Sequence, residues 1–273
     1  MQLNSLIYEK SNGIARITKN NPPQYGMTLE VLLEMKQVLE DAARDEDIAV
    51  IVISAGGEGF HMGAVVFGEV KNADWNLTPV EFREIGQFAR TLFRYIETLE
   101  KPVIGVAKAG AVGGGFENLH VCDFVIAADT AKFSQPEVKL GLCTGWGGSQ
   151  RLTRMVGWRK AKELLLTGRE IDGREAERIG AITKSVPLDQ VDAAVDALCD
   201  ELKLCAPVAS GYTKLAMNKV WETDHRTGLD FEVEAWGMVN SQGEFNADVF
   251  DDFLNGRQPS FKKYKKITSD WLK

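Results

Sequence analysis

Three short, unbroken apolar runs constrain this chain more than any other feature: residues 49–53 (Ala-Val-Ile-Val-Ile), 102–106 (Pro-Val-Ile-Gly-Val) and 124–127 (Phe-Val-Ile-Ala). A strand with one wet face alternates apolar and polar residues, and these runs do not, so each reads as a strand buried on both faces. Between and around them lie stretches of helical period. Residues 29–43 place Leu29, Leu32, Leu33, Met35, Val38 and Leu39 at helical spacing behind a Thr28 positioned to cap, and a longer pattern covers residues 79–99. Buried strand, helix, buried strand is the signature of a parallel sheet with right-handed crossovers, an α/β fold. Near the N-terminus, Asn12-Gly13 between Ile7-Tyr8 and residues 14–17 predicts a β-hairpin, because that dipeptide accepts the positive φ of a tight turn. From residue 159 onward the pattern is mostly helical: 159–167, 173–179, 188–204, 207–220, 229–241 and 247–255.

Size and charge narrow the function. With 273 residues and 44% hydrophobic content the chain can bury a sizeable core. A net charge of -7 disfavours general nucleic-acid binding. No apolar run reaches membrane-spanning length, and the first ten residues carry no basic region followed by an apolar stretch, so a cytoplasmic protein is expected. Cys122, Cys143, Cys199 and Cys205 form no CxxC pair and read as buried free thiols; His61, His120 and His225 lack metal-ligand spacing, so no metal is expected.

Two glycine-rich turns carry the chemistry. Gly110-Ala111-Val112-Gly113-Gly114-Gly115-Phe116-Glu117 follows a buried strand and opens a helical stretch over residues 116–121. Free N–H groups at such a helix start suit a developing negative oxygen, and Glu117 projects from the first turn. Taken singly, this is also what a plain strand-to-helix turn looks like. The second feature is Phe133-Ser134-Gln135-Pro136-Glu137, then Gly141 and Thr144-Gly145-Trp146-Gly147-Gly148-Ser149-Gln150-Arg151-Leu152. Pro136 ends an extended segment and leaves Glu137 at its end. Both acids are then expected at strand ends of one parallel sheet, where sites in such folds form. A third loop, Gly57-Glu58-Gly59-Phe60-His61-Met62-Gly63-Ala64, follows the first buried strand.

In this order and spacing the motifs, joined by the later Leu-Leu-Leu-Thr-Gly-Arg-Glu-Ile and Ala-Glu-Arg-Ile-Gly-Ala-Ile, resemble the crotonase, or enoyl-CoA hydratase/isomerase, superfamily over nearly the whole chain. The resemblance implies a spiral core of ββα turns over residues 1–200 and a C-terminal helical trimerisation region over residues 201–273, assembled as a homotrimer or a hexamer. It implies an acyl-CoA thioester as substrate, with coenzyme A as part of the substrate and no other cofactor. Matched by motif, the N–H groups of Ala64 and Gly114 would form the oxyanion hole, Glu117 and Glu137 the acid/base pair of a hydratase, and the N–H of Gly145 would help hold the water. Glu117 is assigned as base toward water and Glu137 as proton donor to Cα. Gly63, Val65, Gly113, Trp146, Tyr25 and Met27 are implied at the substrate.

Three positions depart from the usual hydratase pattern: Val65-Val66 where an acidic residue commonly follows Gly-Ala, Tyr25-Gly26-Met27 for Asn-Ala-Leu, and Thr144-Gly145-Trp146-Gly147-Gly148 for Pro-Gly-Ala-Gly-Gly. They read either as neutral drift with core repacking or as an acyl pocket reshaped for a cyclic or bulky group by Trp146 and Val65. The lysines of Phe261-Lys262-Lys263-Tyr264-Lys265-Lys266 are either a solvated tail or a contact for CoA phosphate. A double-bond isomerase or a dienoyl-CoA hydratase is the alternative within enzymes. RNA-binding relatives are the alternative outside them, opposed by the -7 charge and the lack of a basic helical stripe.

Overall fold

The structure is a computed structural model, which describes residues 2–22, 25–57, 59, 61, 63, 78–241 and 245–261. The chain opens with β1 (Leu6–Ser11) and β2 (Ile14–Lys19), an antiparallel hairpin in which Asn12 and Gly13 take φ of 50° and 77°, as the dipeptide predicts. Helix α1 (Leu29–Arg44) begins where Thr28 Oγ1 accepts the N–H of Val31 at 3.1 Å. After β3 (Val50–Ala55), α2 (Pro79–Thr98) starts from a reciprocal capping box between Thr78 and Glu81.

Then come β4 (Val103–Ala107), β5 (Gly110–Val112), α3 (Gly114–Leu119), β6 (Phe124–Ala128), β7 (Lys132–Ser134), α4 (Gly148–Val156) and α5 (Trp158–Thr167). The chain continues through β8 (Ile171–Asp172), α6 (Gly173–Arg178), β9 (Lys184–Val186), α7 (Val191–Lys203), α8 (Pro207–Glu222), α9 (His225–Ser241) and α10 (Ala247–Leu254).

Two sheets result. One has six strands in the order β1-β2-β3-β4-β6-β9, parallel except for the hairpin; the other has three, in the order β5-β7-β8. Each turn of the chain places one strand in each sheet and follows with a helix, as β4, β5, α3 and then β6, β7, α4 do. The segment around His61 joins the small sheet through a parallel bridge to Ala111. This is the ββα spiral that the resemblance implies. Strand β3 shows why its run is continuously apolar: Val50 and Val52 enter one core cluster, Ile51 and Ile53 the other. Helix α8 is tied back to the core by Lys214 Nζ on Asp123 Oδ2 at 2.7 Å and by Asn218 Nδ2 on the Glu97 carbonyl at 2.8 Å.

Several expectations need correction. The glycine motif contains a strand of its own, β5, so Glu117 does not follow β4 directly, and the sheet beneath the two acids is the small one. Strands of three residues produce no readable period. Helix α3 starts at Gly114 and ends at Leu119, earlier at both ends than expected. Helix α7 is preceded by a separate 3-10 turn at Leu188–Gln190, and α9 starts at His225 rather than residue 229. All four thiols are free, yet Cys143 and Cys205 are exposed, because Cys143 sits in an irregular surface segment and Cys205 just beyond the end of α7.

The small sheet depends on Gly110. It holds φ at 133°, and a Cβ there would fall 1.9 Å from the Lys132 carbonyl oxygen of β7. Gly110→Ala should therefore cost on the order of 3 kcal/mol, read from urea unfolding.

Candidate active site

Strand β5 delivers the chain to Gly113, whose φ of 55° and ψ of -129° turn it sharply into α3. Gly113 N–H donates to the Ser134 carbonyl of β7 at 3.0 Å, locking the ends of the two strands together. On the other side, His61 N–H donates to Gly110 O and Val112 N–H to His61 O, each at 3.0 Å. A Cβ on Gly63 would lie 2.6 Å from Gly114 N, so glycine alone lets this segment approach the first amide of α3. That amide, at the first helical position, has no acceptor within the helix.

Glu117 sits in the first turn of α3 and is only 2% exposed. Its Oε1 accepts the N–H of Trp146 at 2.9 Å and of Gly148 at 2.7 Å. Burial pushes the carboxyl up to about 7, helped by the negative charge of Glu137; the amides of Gly148 and Trp146 and the Arg151 guanidinium pull the other way. Glu137 opens a single 3-10 turn, Glu137–Leu140, which Pro136 starts and Gly141 closes at φ 75°. Its Oε1 lies 3.3 Å from where a Cβ on Gly113 would stand, at the turn that launches α3. Its Oε2 is shielded from solvent without a hydrogen-bond partner, and burial raises this carboxyl too.

The two amides that hold Glu117 are fixed from behind. Trp146 is buried with its ring edge-on to Phe93 of α2, centroids 5.8 Å apart. Arg151 of α4 donates to the Trp146 carbonyl at 2.8 Å and grips Glu97 of α2 with two bonds of 2.6 and 2.9 Å. Gly147, at φ 118°, leaves room for that guanidinium: a Cβ there would fall 1.8 Å from Arg151 Nη1. Arg151 and Glu97 had no role in the sequence reading. Arg151 lay inside the second motif, but nothing local pointed to its partner 54 residues earlier.

Of the other expected positions, Met27 is fully buried and donates its N–H to Gly63 O at 3.1 Å. Tyr25, at φ 49°, lays its ring where a Cβ on Gly59 would approach it to 2.6 Å. Gly145 is exposed beside Trp146. Ala64, Val65 and the lysines at residues 262–266 lie outside the described residues. His61 is fully buried: its Nε2–H donates to the Val106 carbonyl at 2.6 Å, and burial drives the ring well below the usual imidazole range. His120 packs against Phe116 with centroids 4.2 Å apart, and burial lowers it to about 3. Among the described residues no group of three His, Cys, Asp or Glu could hold a metal ion, and no helix is long and apolar enough to cross a membrane.

The arrangement can pass protons. Two interacting carboxyls, one buried and one half-buried, each raised, ionise unequally, which is what paired acid and base work requires.

Comparison with known proteins points the same way. Residues 9–265 match the profile of the family described as enoyl-CoA hydratase/isomerase. The chain is 34% identical over 259 residues to the short-chain-enoyl-CoA hydratase of Clostridium acetobutylicum, covering 94% of this chain and 97% of that one. It is 35% identical over 264 residues to the crotonyl-CoA hydratase of Syntrophomonas wolfei, covering 96% and 99%. Among solved structures, an enoyl-CoA hydratase from Bacillus anthracis superposes with a TM-score of 0.86 at 27% identity, over 95% of this chain and 99% of that one.

The raised Glu117 carboxyl has a consequence for stability. Between pH 4.5 and about 7 the folded protein keeps a proton that the unfolded chain releases. Stability from this group is therefore complete below that window and is lost as pH rises through it. Glu117→Gln removes the dependence. Relative to wild type, its unfolding free energy should rise by up to about 3 kcal/mol between pH 4.5 and 8, measured by denaturant titration at each pH.

Proposed function

The chain belongs to the enoyl-CoA hydratase/isomerase family, and on that premise we propose that it adds water across the double bond of an α,β-unsaturated acyl-CoA thioester, or removes it from the 3-hydroxy product, with Glu117 and Glu137 as the acid/base pair. It is a hydro-lyase of the enoyl-CoA hydratase type, and the acyl-CoA thioester is its substrate. The observation that carries the reading is the pair itself: one buried carboxylate clasped by two amides in the first turn of α3, another with an idle oxygen at the Gly113 turn that launches that helix.

The thioester oxygen accepts from the N–H groups of Gly114 and Ala64. A water between the two acids, steadied by the Gly145 N–H, attacks Cβ while Glu117 takes its proton. The electron pair of the double bond moves to the thioester oxygen as an enolate, which collapses as Glu137 protonates Cα. Losing one oxyanion donor typically costs about 3 kcal/mol of barrier. Hydrogen bonding supports this division of roles: two N–H donors on Glu117 Oε1 favour its ionised form, while the undonated Glu137 Oε2 suits a neutral acid. With Glu137 neutral, its share of the upward push on Glu117 disappears.

Gly63, Gly113, Tyr25, Met27 and Val65 would shape the acyl and thioester pocket. The burial of Trp146 against Phe93 turns its bulk into the core, and relatives named for short-chain and crotonyl substrates favour a short linear acyl group over a cyclic one.

With crotonyl-CoA, loss of the conjugated-thioester absorbance gives the test. Glu117→Gln and Glu137→Gln should each lower kcat roughly a hundred- to ten-thousand-fold with the fold intact. A variant retaining more than a tenth of wild-type kcat would remove that residue from the mechanism. Migration of the double bond without net hydration would favour the isomerase alternative.

Residues 201–273 serve as the oligomerisation region in this reading. Met217, Val220, Val233, Trp236 and Phe253 on the C-terminal helices are each more than 60% exposed in the single chain, an apolar load that supports assembly with further copies. Sedimentation velocity should show a particle of three or six 30.2 kDa chains; a monomer would refute the assembly.

A further inference from the structure

Strand β2 puts a lysine where its own pattern calls for an apolar residue. Ala15, Ile17 and Lys19 share one inward face, and the first two belong to the core cluster that also holds Met27, Val31, Met35 and Trp146. Lys19 is 0% exposed. Among the described residues its ammonium reaches only the Met27 thioether, 3.9 Å away, and none of their carboxylates lies within ion-pair distance. Most buried charges are paired, so an unpaired one needs an explanation.

Among the described residues, the groups packed in this region are spent or uncharged. Glu34, the buried acid of α1, gives its two oxygens to the amides of Asn4 and Ser5. His61 donates from Nε2 to Val106, so its Nδ1 presents a lone pair, and it stays neutral under burial and the Lys19 charge. Nδ1 itself has no partner.

The position relative to the site is specific. The Lys19 carbonyl accepts the Gly56 N–H at 2.8 Å, and Met27, which the ammonium touches, donates its N–H to Gly63 O at 3.1 Å. Gly63 in turn lies against Gly114 N. Backbone bonds from Lys19 and Met27 thus hold Gly56 and Gly63, and Gly63 is the residue that meets the first amide of α3.

We infer that Lys19 supplies a positive charge beside the loop that grips the thioester oxygen, and that this charge stabilises the enolate without touching it. The inference rests on the thioester reading above. In a dry interior a unit charge acts over several ångströms with little screening, whereas in water the same charge would be lost. Burial pulls the amine down to about 7, and an anion forming nearby favours the ammonium. The charge is therefore most firmly held when the enolate is present.

The test uses acetoacetyl-CoA, whose enolate has its own ultraviolet absorbance and forms without either glutamate. Bound to wild type, it should ionise about one pH unit lower than when bound to Lys19→Met, a roughly tenfold change in enolate fraction at fixed pH. The same variant should lose about tenfold in kcat on crotonyl-CoA with KM nearly unchanged. Lys19→Gln, polar but uncharged, should match Lys19→Met in both measurements, and removal of the buried charge should raise the unfolding midpoint of Lys19→Met. Identical enolate titrations in wild type and both variants would overturn the inference while leaving the hydratase reading intact. Failure of wild type to bind acetoacetyl-CoA would overturn both. Full hydration by the two glutamate variants would overturn only the acid/base assignment.

Discussion

A single backbone hydrogen bond, Gly113 N–H to Ser134 O, organises the rest of the site. It closes the parallel pairing of β5 with β7 at the ends from which the two acids emerge. Glu117 stands four residues beyond the donor and Glu137 three beyond the acceptor, so aligning the strands aligns the carboxyls. Side-chain flexibility has little part in this: Glu117 is enclosed by its helix and Glu137 by one 3-10 turn. Preorganisation of this kind is what makes positioned acids effective, because the cost of arranging them is met during folding rather than during turnover.

Holding a carboxylate in a buried place needs compensation, and the structure provides it from main chain rather than from a cation. The amides of Trp146 and Gly148 converge on one oxygen of Glu117. The nearest strong cation, Arg151, is committed to Glu97 and to the Trp146 carbonyl. A direct Arg–Glu117 contact would hold the acid permanently ionised and blunt its ability to exchange a proton. By acting one step removed, Arg151 fixes the donors while burial holds the Glu117 carboxyl at about 7.

Lys19 and Arg151 show two treatments of buried positive charge. Arg151 is matched by a bidentate carboxylate and works as a brace between α2 and α4. Lys19 meets no carboxylate among the described residues and has a neutral imidazole and a thioether for company. A braced pair contributes rigidity; an unmatched charge contributes field, at the expense of stability.

Local pattern determined a good part of this protein. The Asn12-Gly13 turn, the Thr28 cap and the doubly buried β3 were legible, because each depends on residues within a few positions of one another. The two glutamates were legible as a pair only because their flanking glycines and Pro136 mark strand ends, and the family motifs strengthened that. Even the anomaly of Lys19 is written in the alternation Ala15, Ile17, Lys19, although its meaning is not. Tertiary structure alone decided that the strands divide between two sheets, since β5 and β7 have three residues each and no period. It alone decided that Trp146 and Gly148 donate to an acid about thirty residues away, that Arg151 reaches back to Glu97, and that no carboxylate among the described residues meets Lys19. Those relations join residues distant in the chain, and they exist only once packing has brought the elements together, which no local periodicity records.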